Sequence, residues 1–394
     1  MPMPETIGAG VLAGVAWLAI AAALYAYAGY PLLAAWLVRR RPLARAAPPV
    51  AWPAVSVFIA ARNEARVIRR RIDNLLEQEY PGPLEVLVVS DASDDGTDGL
   101  VEEVADPRVR LLRQEPREGK TAGINRLARE ARGEIFIQTD ANVIFAPGAV
   151  RALVEALTPP EVGVAIGRVR FTNEDDPLVA AGEGLYWRFE NWTKRMEAER
   201  GLLAVANGGI YALRRDLWQP LPAFISGDAA EPLLAARAGY RTVVAEGALA
   251  YERAADSHRE EFQRKARIIA QQVACARWIG LPGLPVRIAW AYLSHKLLRY
   301  LVAPIGALGL IAGLAAAALG SVAGAVAAAL LAAPLLTAPL GLLPWPGVPG
   351  KVFKLPLYLV TVNLAAAAGL WRGLRGRAQA TWEVPDSTRR AAPD

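Results

Sequence analysis

Apolar runs without charge lie near both ends of the chain and enclose a long segment of mixed polarity. Residues 6–38 and 300–350 carry no charged side chain, and Leu355–Trp371 is a shorter apolar run. A helix needs about 20 apolar residues to cross a bilayer. The pattern therefore predicts one N-terminal membrane anchor and about three C-terminal membrane helices.

Between these runs, short apolar stretches alternate with helical patterns. The predicted strands are Val55–Ala60, Leu84–Val89, Val109–Leu112 and Glu134–Gln138, and the predicted helices between them are Ala65–Glu79, Thr97–Ala105 and Lys120–Arg132. Such alternation is typical of βαβ units with parallel strands. Further along, the pattern predicts helices at Leu178–Arg200 and Gly227–Arg241, a strand within Asn207–Trp218, and a basic amphipathic helix at His258–Trp278.

The composition supports a membrane protein and excludes several kinds of site. Hydrophobic residues make up 54% of the 394 positions, and the formal net charge is +6. Much of the positive charge flanks the apolar runs, which favours anionic lipid headgroups over nucleic acid as the partner. A single cysteine and two histidines exclude an internal disulfide and make a multi-histidine metal site or a Ser-His-Asp hydrolase unexpected.

The charge around the apolar runs gives a conflicting topology. Arg39–Arg45 contains a basic cluster directly after the first run, which places the following domain in the cytosol. One anchor and three further spans would put the C-terminal tail outside. The basic segment Arg372–Arg377 favours the cytosolic side instead, and the sequence leaves this conflict open.

Three acidic residues stand where predicted strands end, namely Glu64, Asp91 and Asp140. In open parallel sheets, ligands bind outside the carboxyl ends of the strands, so these side chains are expected to meet in one crevice. Asp140 is followed two residues later by Asn142, and the pair can hold a metal ion against a phosphate. Each acid taken singly can also belong to a polar turn or a helix cap.

Several phrases in their order along residues 55–270 resemble the membrane-anchored glycosyltransferases of family 2, which have the α/β GT-A fold. They include VSVFIAARNEARVI, LEVLVVSDASDDGT, REGKTAGINRLARE, GEIFIQTDANV, NGGIYALRR and GDAAEPLLAARAGYR. Hyaluronan, chitin, cellulose and poly-N-acetylglucosamine synthases are members of this group. The resemblance implies a Rossmann-like, mainly parallel sheet in a cytosolic domain, with transmembrane helices at both ends of the chain.

The resemblance also implies roles for individual residues. Ala61 and Glu64 would line the base and ribose pocket, and Asp91 would hydrogen-bond the uracil ring. Lys120 would lie near the donor diphosphate. Asp140 and Asn142 occupy the metal-binding DxD motif, which implies Mg²⁺ or Mn²⁺, and Asp228 corresponds to the catalytic base.

Three departures from the family pattern bear on these roles. Asn142 offers a neutral oxygen where an aspartate is usual, so a bound cation is expected to be held weakly. Gly227 replaces the acid that often precedes the base, and Glu231 is the alternative base. Four residues separate Gln272 from Arg277, where processive synthases have two, which favours transfer of one or a few sugars.

Two basic groups have two interpretations each. Arg264, Lys265 and Arg267 could clamp the donor diphosphate or contact anionic headgroups. His295, Lys296 and Arg299 could hold a lipid-linked phosphate, but their place at the start of an apolar run favours the membrane interface.

The expected organisation is an anchor over residues 6–38, a GT-A domain over 50–257, interfacial helices over 258–300, membrane helices over 301–372 and a tail over 373–394. The expected protein is an inverting enzyme of the bacterial inner membrane. It would move a sugar from a nucleotide sugar, with UDP favoured, to a lipid-linked or membrane-surface hydroxyl. A processive polysaccharide synthase and a nucleotide-binding regulator without catalysis are the alternatives.

Overall fold

A mixed β-sheet of eight strands forms the centre of the domain between the apolar runs. The structure is a computed structural model that describes residues 4–40, 48–172, 184–254, 257–343 and 348–381. The strands are β1 Val55–Ala61, β2 Leu84–Asp91, β3 Val109–Gln114, β4 Ile135–Asp140, β5 Ile144–Phe145, β6 Val162–Phe171, β7 Ile210–Arg214 and β8 Arg241–Glu252. Their order in the sheet is β3-β2-β1-β4-β7-β6-β8-β5.

The helices flank this sheet and continue into the apolar ends of the chain. They are α1 Pro4–Leu24, α2 Tyr30–Leu37, α3 Ile68–Leu76, α4 Thr97–Glu102, α5 Lys120–Glu130, α6 Ala149–Ala156, α7 Gly184–Arg200, α8 Gly227–Arg237, α9 His258–Ile279, α10 Val286–Tyr292, α11 Leu298–Ala318, α12 Val322–Thr337 and α13 Val348–Leu374. π-helical turns at Tyr25–Gly29 and Leu293–Leu297 join α1 to α2 and α10 to α11, so each pair is continuous.

The first half of the sheet confirms the predicted parallel arrangement. β1 pairs in parallel with both β2 and β4, and β2 pairs in parallel with β3. The core of β1 and β2 is apolar on both faces, as expected for strands covered by helices on each side. β2 and β4 each run two residues further than predicted, so Asp91 and Asp140 are the last residues of their strands.

The second half of the sheet is mixed. β7 runs antiparallel to both β4 and β6, whereas β8 is parallel to β6 and antiparallel to the short β5. The sequence pattern predicts β7 within Asn207–Trp218 but does not predict β5, β6 or β8. α3 begins at Ile68, three residues later than predicted, and it is preceded by a turn in which the Glu64 carbonyl accepts from Val67 and Ile68.

Four stretches of helix are long and apolar enough to cross a membrane: Ile7–Leu37, Val286–Ala318, Val322–Leu342 and Val352–Leu374. α11 and α12 form an antiparallel hairpin with very close backbones, since a Cβ on Gly313 would lie 3.1 Å from the Ala328 nitrogen. Small residues allow this approach, as is usual where helices pack in lipid. These stretches suggest membrane insertion.

Both ends of the C-terminal helical region lie against the sheet domain. α10 follows directly from α9, and at the other end Gln271 of α9 donates to the Gln379 carbonyl at 3.1 Å, while Arg277 donates to the Leu374 carbonyl at 2.6 Å. The hairpin leaves this domain with α11 and returns with α12. α13 therefore begins and ends on the domain's side of the hairpin.

A buried cluster of charges joins the sheet domain to the membrane helices. Glu190 of α7 accepts from Lys296 at 2.5 Å, from Arg299 at 3.0 Å and from His295 at 3.1 Å. The other ring nitrogen of His295 lies 2.7 Å from Glu197. Burial alone would raise the pKa of Glu190, but Lys296, His295 and Arg299 outweigh it and hold that pKa well below its usual range.

We expect Glu190→Gln to destabilise the protein by about 3–5 kcal/mol, because the charges of Lys296 and Arg299 would face a neutral amide. Thermal unfolding in detergent measures the change. The difference in stability between the variant and the wild type should become smaller at low pH. There Glu190 itself becomes protonated, and its depressed pKa no longer contributes stability.

Asp73→Asn is the matched control. Asp73 pairs with Arg69 at 3.2 Å, and both side chains are about half exposed, so its loss should cost no more than about 0.5 kcal/mol. Equal destabilisation by the two variants would contradict a stabilising role for the Glu190 cluster.

Candidate active site

A cavity of about 370 Å³ lies between the carboxyl ends of β1, β2 and β4 and the helices that cover them. All ten residues singled out from the sequence line it. They are Ala61, Glu64, Asp91, Lys120, Asp140, Asn142, Asp228, Arg264, Lys265 and Arg267. The acidic side chains near the ends of the parallel strands therefore meet in one cavity, as predicted.

Asp91 organises the loop that leads into α5. Its carboxylate accepts from the Gln114 side chain at 2.5 Å and from the backbone nitrogens of Glu118 and Gly119 at 2.9 and 3.1 Å. Arg117 lies 3.6 Å away. Asp91 thus fixes the backbone that places Lys120 in the cavity, which is a contribution that the sequence motif does not indicate.

Lys120 and Asp140 meet at the end of β4. The Lys120 ammonium donates to Asp140 Oδ1, and the Asp140 side chain is 37% exposed to the cavity. Below them, the fully buried Arg71 donates to Thr139 Oγ1 at 2.9 Å, and Thr139 in turn donates to the Gly209 carbonyl at 2.7 Å. Burial lowers the pKa of Arg71 to about 9, with Asp140 opposing the shift.

Asp228 enters the cavity from the first turn of α8. Ser226 precedes that turn and donates to Asp228 Oδ1, and a Cβ on Gly208 would lie 3.4 Å from Oδ2. Burial raises the pKa of Asp228, although Lys120 and Lys194 oppose the shift. A carboxylate with a raised pKa in a cavity is a stronger proton acceptor than one in water.

Glu231, the alternative base, lies one helical turn further and is held by protein. Its side chain is 4% exposed, and its two carboxylate oxygens accept from the Gln138 amide nitrogen at 2.8 and 2.9 Å. Burial raises its pKa to about 7. Asp228 is therefore better placed than Glu231 to meet a substrate hydroxyl.

The three cations of α9 line the cavity opposite Asp140. Glu261 pairs with Arg264 at 2.8 Å and with Lys265 at 3.3 Å, which orients both side chains. Burial lowers the pKa of Arg267 to about 10, and the repulsion of Arg264 adds to this, whereas Asp140 and Asp228 oppose it. This placement favours a diphosphate over lipid headgroups as their ligand.

The opposite end of the cavity is built by the membrane helices. Tyr27 donates to the Asn363 side chain at 3.2 Å, and both residues line the cavity with Arg299 and Tyr300. His295 and Arg299 are only 2% and 6% exposed. His295 and Arg299 therefore face the buried carboxylates Glu190 and Glu197 within the protein, and their predicted place at the membrane interface stays a prediction.

The end of the described chain closes one wall of the cavity. Ala380 and Thr381 line it beside Gly119, and the Ala380 carbonyl lies where a Cβ of residue 119 would stand. Gly119 also has a positive φ of 93°, so two independent features require glycine here.

Sequence reasoning missed Glu190, Lys194, Gln138 and Arg71 as residues of this region. All four are buried polar groups within apolar surroundings. The only sequence signal was the presence of charged residues within otherwise amphipathic helices and of a glutamine inside an apolar strand.

Known proteins resemble the chain most clearly over this domain. The profile described as Glycosyl transferase family 2 matches residues 56–219. An N-acetylglucosaminyltransferase of Mesorhizobium japonicum is 29% identical over 169 residues, which are 42% of this chain and 40% of that relative. A beta-monoglucosyldiacylglycerol synthase of Trichormus variabilis is 27% identical over 168 residues, covering 41% and 36%. The chain thus matches less than half the length of these two relatives.

One solved structure resembles almost the whole chain. A mannosyltransferase from Pyrobaculum calidifontis, in complex with GDP-Man and Mn²⁺, superposes with a TM-score of 0.69 at 27% identity. The match covers 91% of this chain and 99% of that structure. Its extent includes the mixed sheet and the helices that accompany it. Residues 56–219, which supply the strand ends of the cavity, are therefore a glycosyl transferase family 2 domain with the GT-A fold.

Proposed function

We propose that this protein is an integral membrane glycosyltransferase that moves a sugar from a nucleotide sugar, with UDP as the favoured nucleotide, to a lipid-linked hydroxyl acceptor. The observation that carries the proposal is the position of Asp228 between two ends of one cavity. One end holds the cations and Asp140 at the strand ends, and the other is formed by the membrane helices.

The donor diphosphate is placed at the end lined by Lys120 and the α9 cations. Negative charge grows on the leaving diphosphate as the bond to the sugar breaks. Preorganised cations that face this position stabilise the transition state more than the ground state. Lys120, Arg264 and Arg267 supply such charge from two separate elements.

Asp140 and Asn142 are the residues that would hold a divalent cation, and they fit a weakly held one. Together they offer a carboxylate and a neutral amide oxygen at one turn of chain that faces the cavity. Among the described residues there is no cluster of three or more acidic, histidine or cysteine side chains suited to a metal. Mg²⁺ or Mn²⁺ prefers six oxygen ligands, so the diphosphate would complete the shell, and the ion would neutralise its charge.

Asp228 is the proposed catalytic base. It would accept the proton of the acceptor hydroxyl while that oxygen attacks the anomeric carbon and the diphosphate leaves from the opposite side. A single displacement of this kind inverts the anomeric configuration. The raised pKa of Asp228 gives it the basicity that this proton transfer needs.

The acceptor is proposed to reach Asp228 from the bilayer. Residues of three apolar helices line that end of the cavity, namely Tyr27, Arg299 and Asn363. Acceptors that carry an acyl or prenyl chain can present a hydroxyl there without leaving the membrane. The name of the Trichormus variabilis relative also describes a lipid product.

The domain is proposed to lie in the cytosol, and the charges beside it support this orientation. Arg40 at the end of the first span pairs with Glu199 of the domain at 3.1 Å, and the basic segment after α13 lies on the same side. With α13 placed along the membrane surface, α11 and α12 are the two C-terminal crossings. The tail is then cytosolic, which removes the conflict in the sequence-based topology.

Transfer should fall roughly 10²–10⁴-fold in Asp228→Asn, because the amide cannot accept the acceptor's proton. Radiolabelled sugar transfer to membrane lipid extracts, screened over several nucleotide sugars, measures it. Thermal stabilisation by UDP should remain, since Asp228 does not contact the nucleotide in this proposal.

Glu231→Gln is the control for this experiment. A glutamine can still accept from Gln138, so we expect less than about tenfold loss. A larger loss in Glu231→Gln than in Asp228→Asn would make Glu231 the base. Undiminished transfer in Asp228→Asn would contradict the mechanism, and a ladder of polymeric products would favour a processive synthase.

Asn142→Asp should tighten Mn²⁺ binding by roughly tenfold or more, equivalent to about 1.4 kcal/mol, because it adds a charged ligand. Calorimetric titration of Mn²⁺ into the UDP-bound protein measures this without turnover. Asp140→Asn should weaken the same binding. Unchanged affinity in Asn142→Asp would exclude Asn142 as a ligand.

A further inference from the structure

Lys194 of α7 is a buried cation on the wall of the cavity, and the proposed mechanism does not use it. Its side chain is 6% exposed. The ammonium donates to Asn207 Oδ1 and to the Ala206 carbonyl, the latter at 3.3 Å. Both acceptors belong to one short loop, which covers residues 206–209 and precedes β7.

This loop is attached to both acidic elements of the site. Ala206 donates its N–H to the Asp228 carbonyl at 2.8 Å, which ties the loop to α8. The Gly209 carbonyl accepts from Thr139, the neighbour of Asp140, at 2.7 Å. Lys194 therefore holds a segment that spans the distance between the proposed base and the proposed metal site.

The loop also lies directly against the carboxylate of Asp228. A Cβ on Gly208 would stand 3.4 Å from Asp228 Oδ2 and 3.5 Å from Cγ. Because backbone is this close, a small movement of the loop would change both the room around the carboxylate and its solvation.

The charges of Lys194 and Asp228 also interact with each other. Burial lowers the pKa of Lys194 to about 8, and Lys296 adds to this, while Glu190, Asp228 and Glu197 oppose the shift. The lysine therefore remains mostly charged at neutral pH. In the other direction, Lys194 opposes the burial that raises the pKa of Asp228.

We propose that Lys194 is a positioning residue for sugar transfer: it holds the 206–209 loop against Asp228 and keeps the Asp228 carboxylate ionised as the acceptor hydroxyl approaches. The inference rests on the proposed role of Asp228 as base. A residue that served only to anchor the loop would affect activity without changing the ionisation of Asp228.

The pH dependence of transfer separates these two roles. In Lys194→Gln, which keeps a hydrogen-bond donor but removes the charge, the acidic limb of the kcat/KM profile should move to higher pH by about one unit. Lys194→Arg keeps the charge and should leave the limb near its wild-type position. A uniform loss of activity at every pH in Lys194→Gln, with no shift of the limb, would overturn the proposal.

A second measurement needs no activity. Thermal unfolding of the ligand-free protein is recorded at pH 7 for Lys194→Gln, Asp228→Asn and the double variant. We expect the effect of Asp228→Asn to change sign or size in the Lys194→Gln background, because the charge pair has been removed. Additive shifts of the unfolding temperature would overturn the proposal.

The pH profile and the unfolding cycle test the proposed function and the role of Lys194 separately. If the wild-type protein transfers sugar from no donor, the proposed function fails, and the unfolding cycle alone decides whether Lys194 is coupled to Asp228. If transfer occurs but the acidic limb is insensitive to Lys194, the proposed function stands and the positioning role is wrong.

Discussion

The cost of burying charge governs how this molecule is assembled. The catalytic cavity lies between a polar sheet edge and helices that are apolar enough for a bilayer, so its charged groups have little water to solvate them. Each charge must then face an opposite charge or a dense set of dipoles. Glu190 meets Lys296 and Arg299, Asp140 meets Lys120, and Asp91 accepts from backbone nitrogens of the loop before α5.

The same constraint connects stability with chemistry. The groups that keep Glu190 ionised also form the membrane end of the cavity, and Lys194, which opposes the raised pKa of Asp228, also holds the loop beside it. A change in one of these residues is therefore expected to alter both folding and turnover, which makes matched control variants necessary. The buried Arg71 also meets the requirement that a buried charge be paired with polar groups. It donates to Thr139, the residue before Asp140, and lies behind the cavity wall.

Much of the fold and of the site could be predicted from the sequence, because local patterns encode them. The parallel strands β1 to β4, of six to eight residues, can be recognised from their short apolar runs, and the acids at their ends meet at one edge of the sheet. β6 and β8 were harder, since glycines, charged residues and irregular register interrupt their apolar pattern. The position of His295 could not be predicted, because it depends on packing between helices about 100 residues apart in the chain.

The approach of Ala380 to Gly119 has a consequence for the synthesis of this protein. The cavity wall beside Lys120 is shared by the loop before α5 and by residues more than 250 positions later in the chain. During translation, the sheet and its acidic edge can fold while the C-terminal helices are still being made and inserted. The cavity nevertheless stays open on that side until residue 380 has left the ribosome. The complete cavity therefore forms only after all four candidate membrane helices have been synthesised.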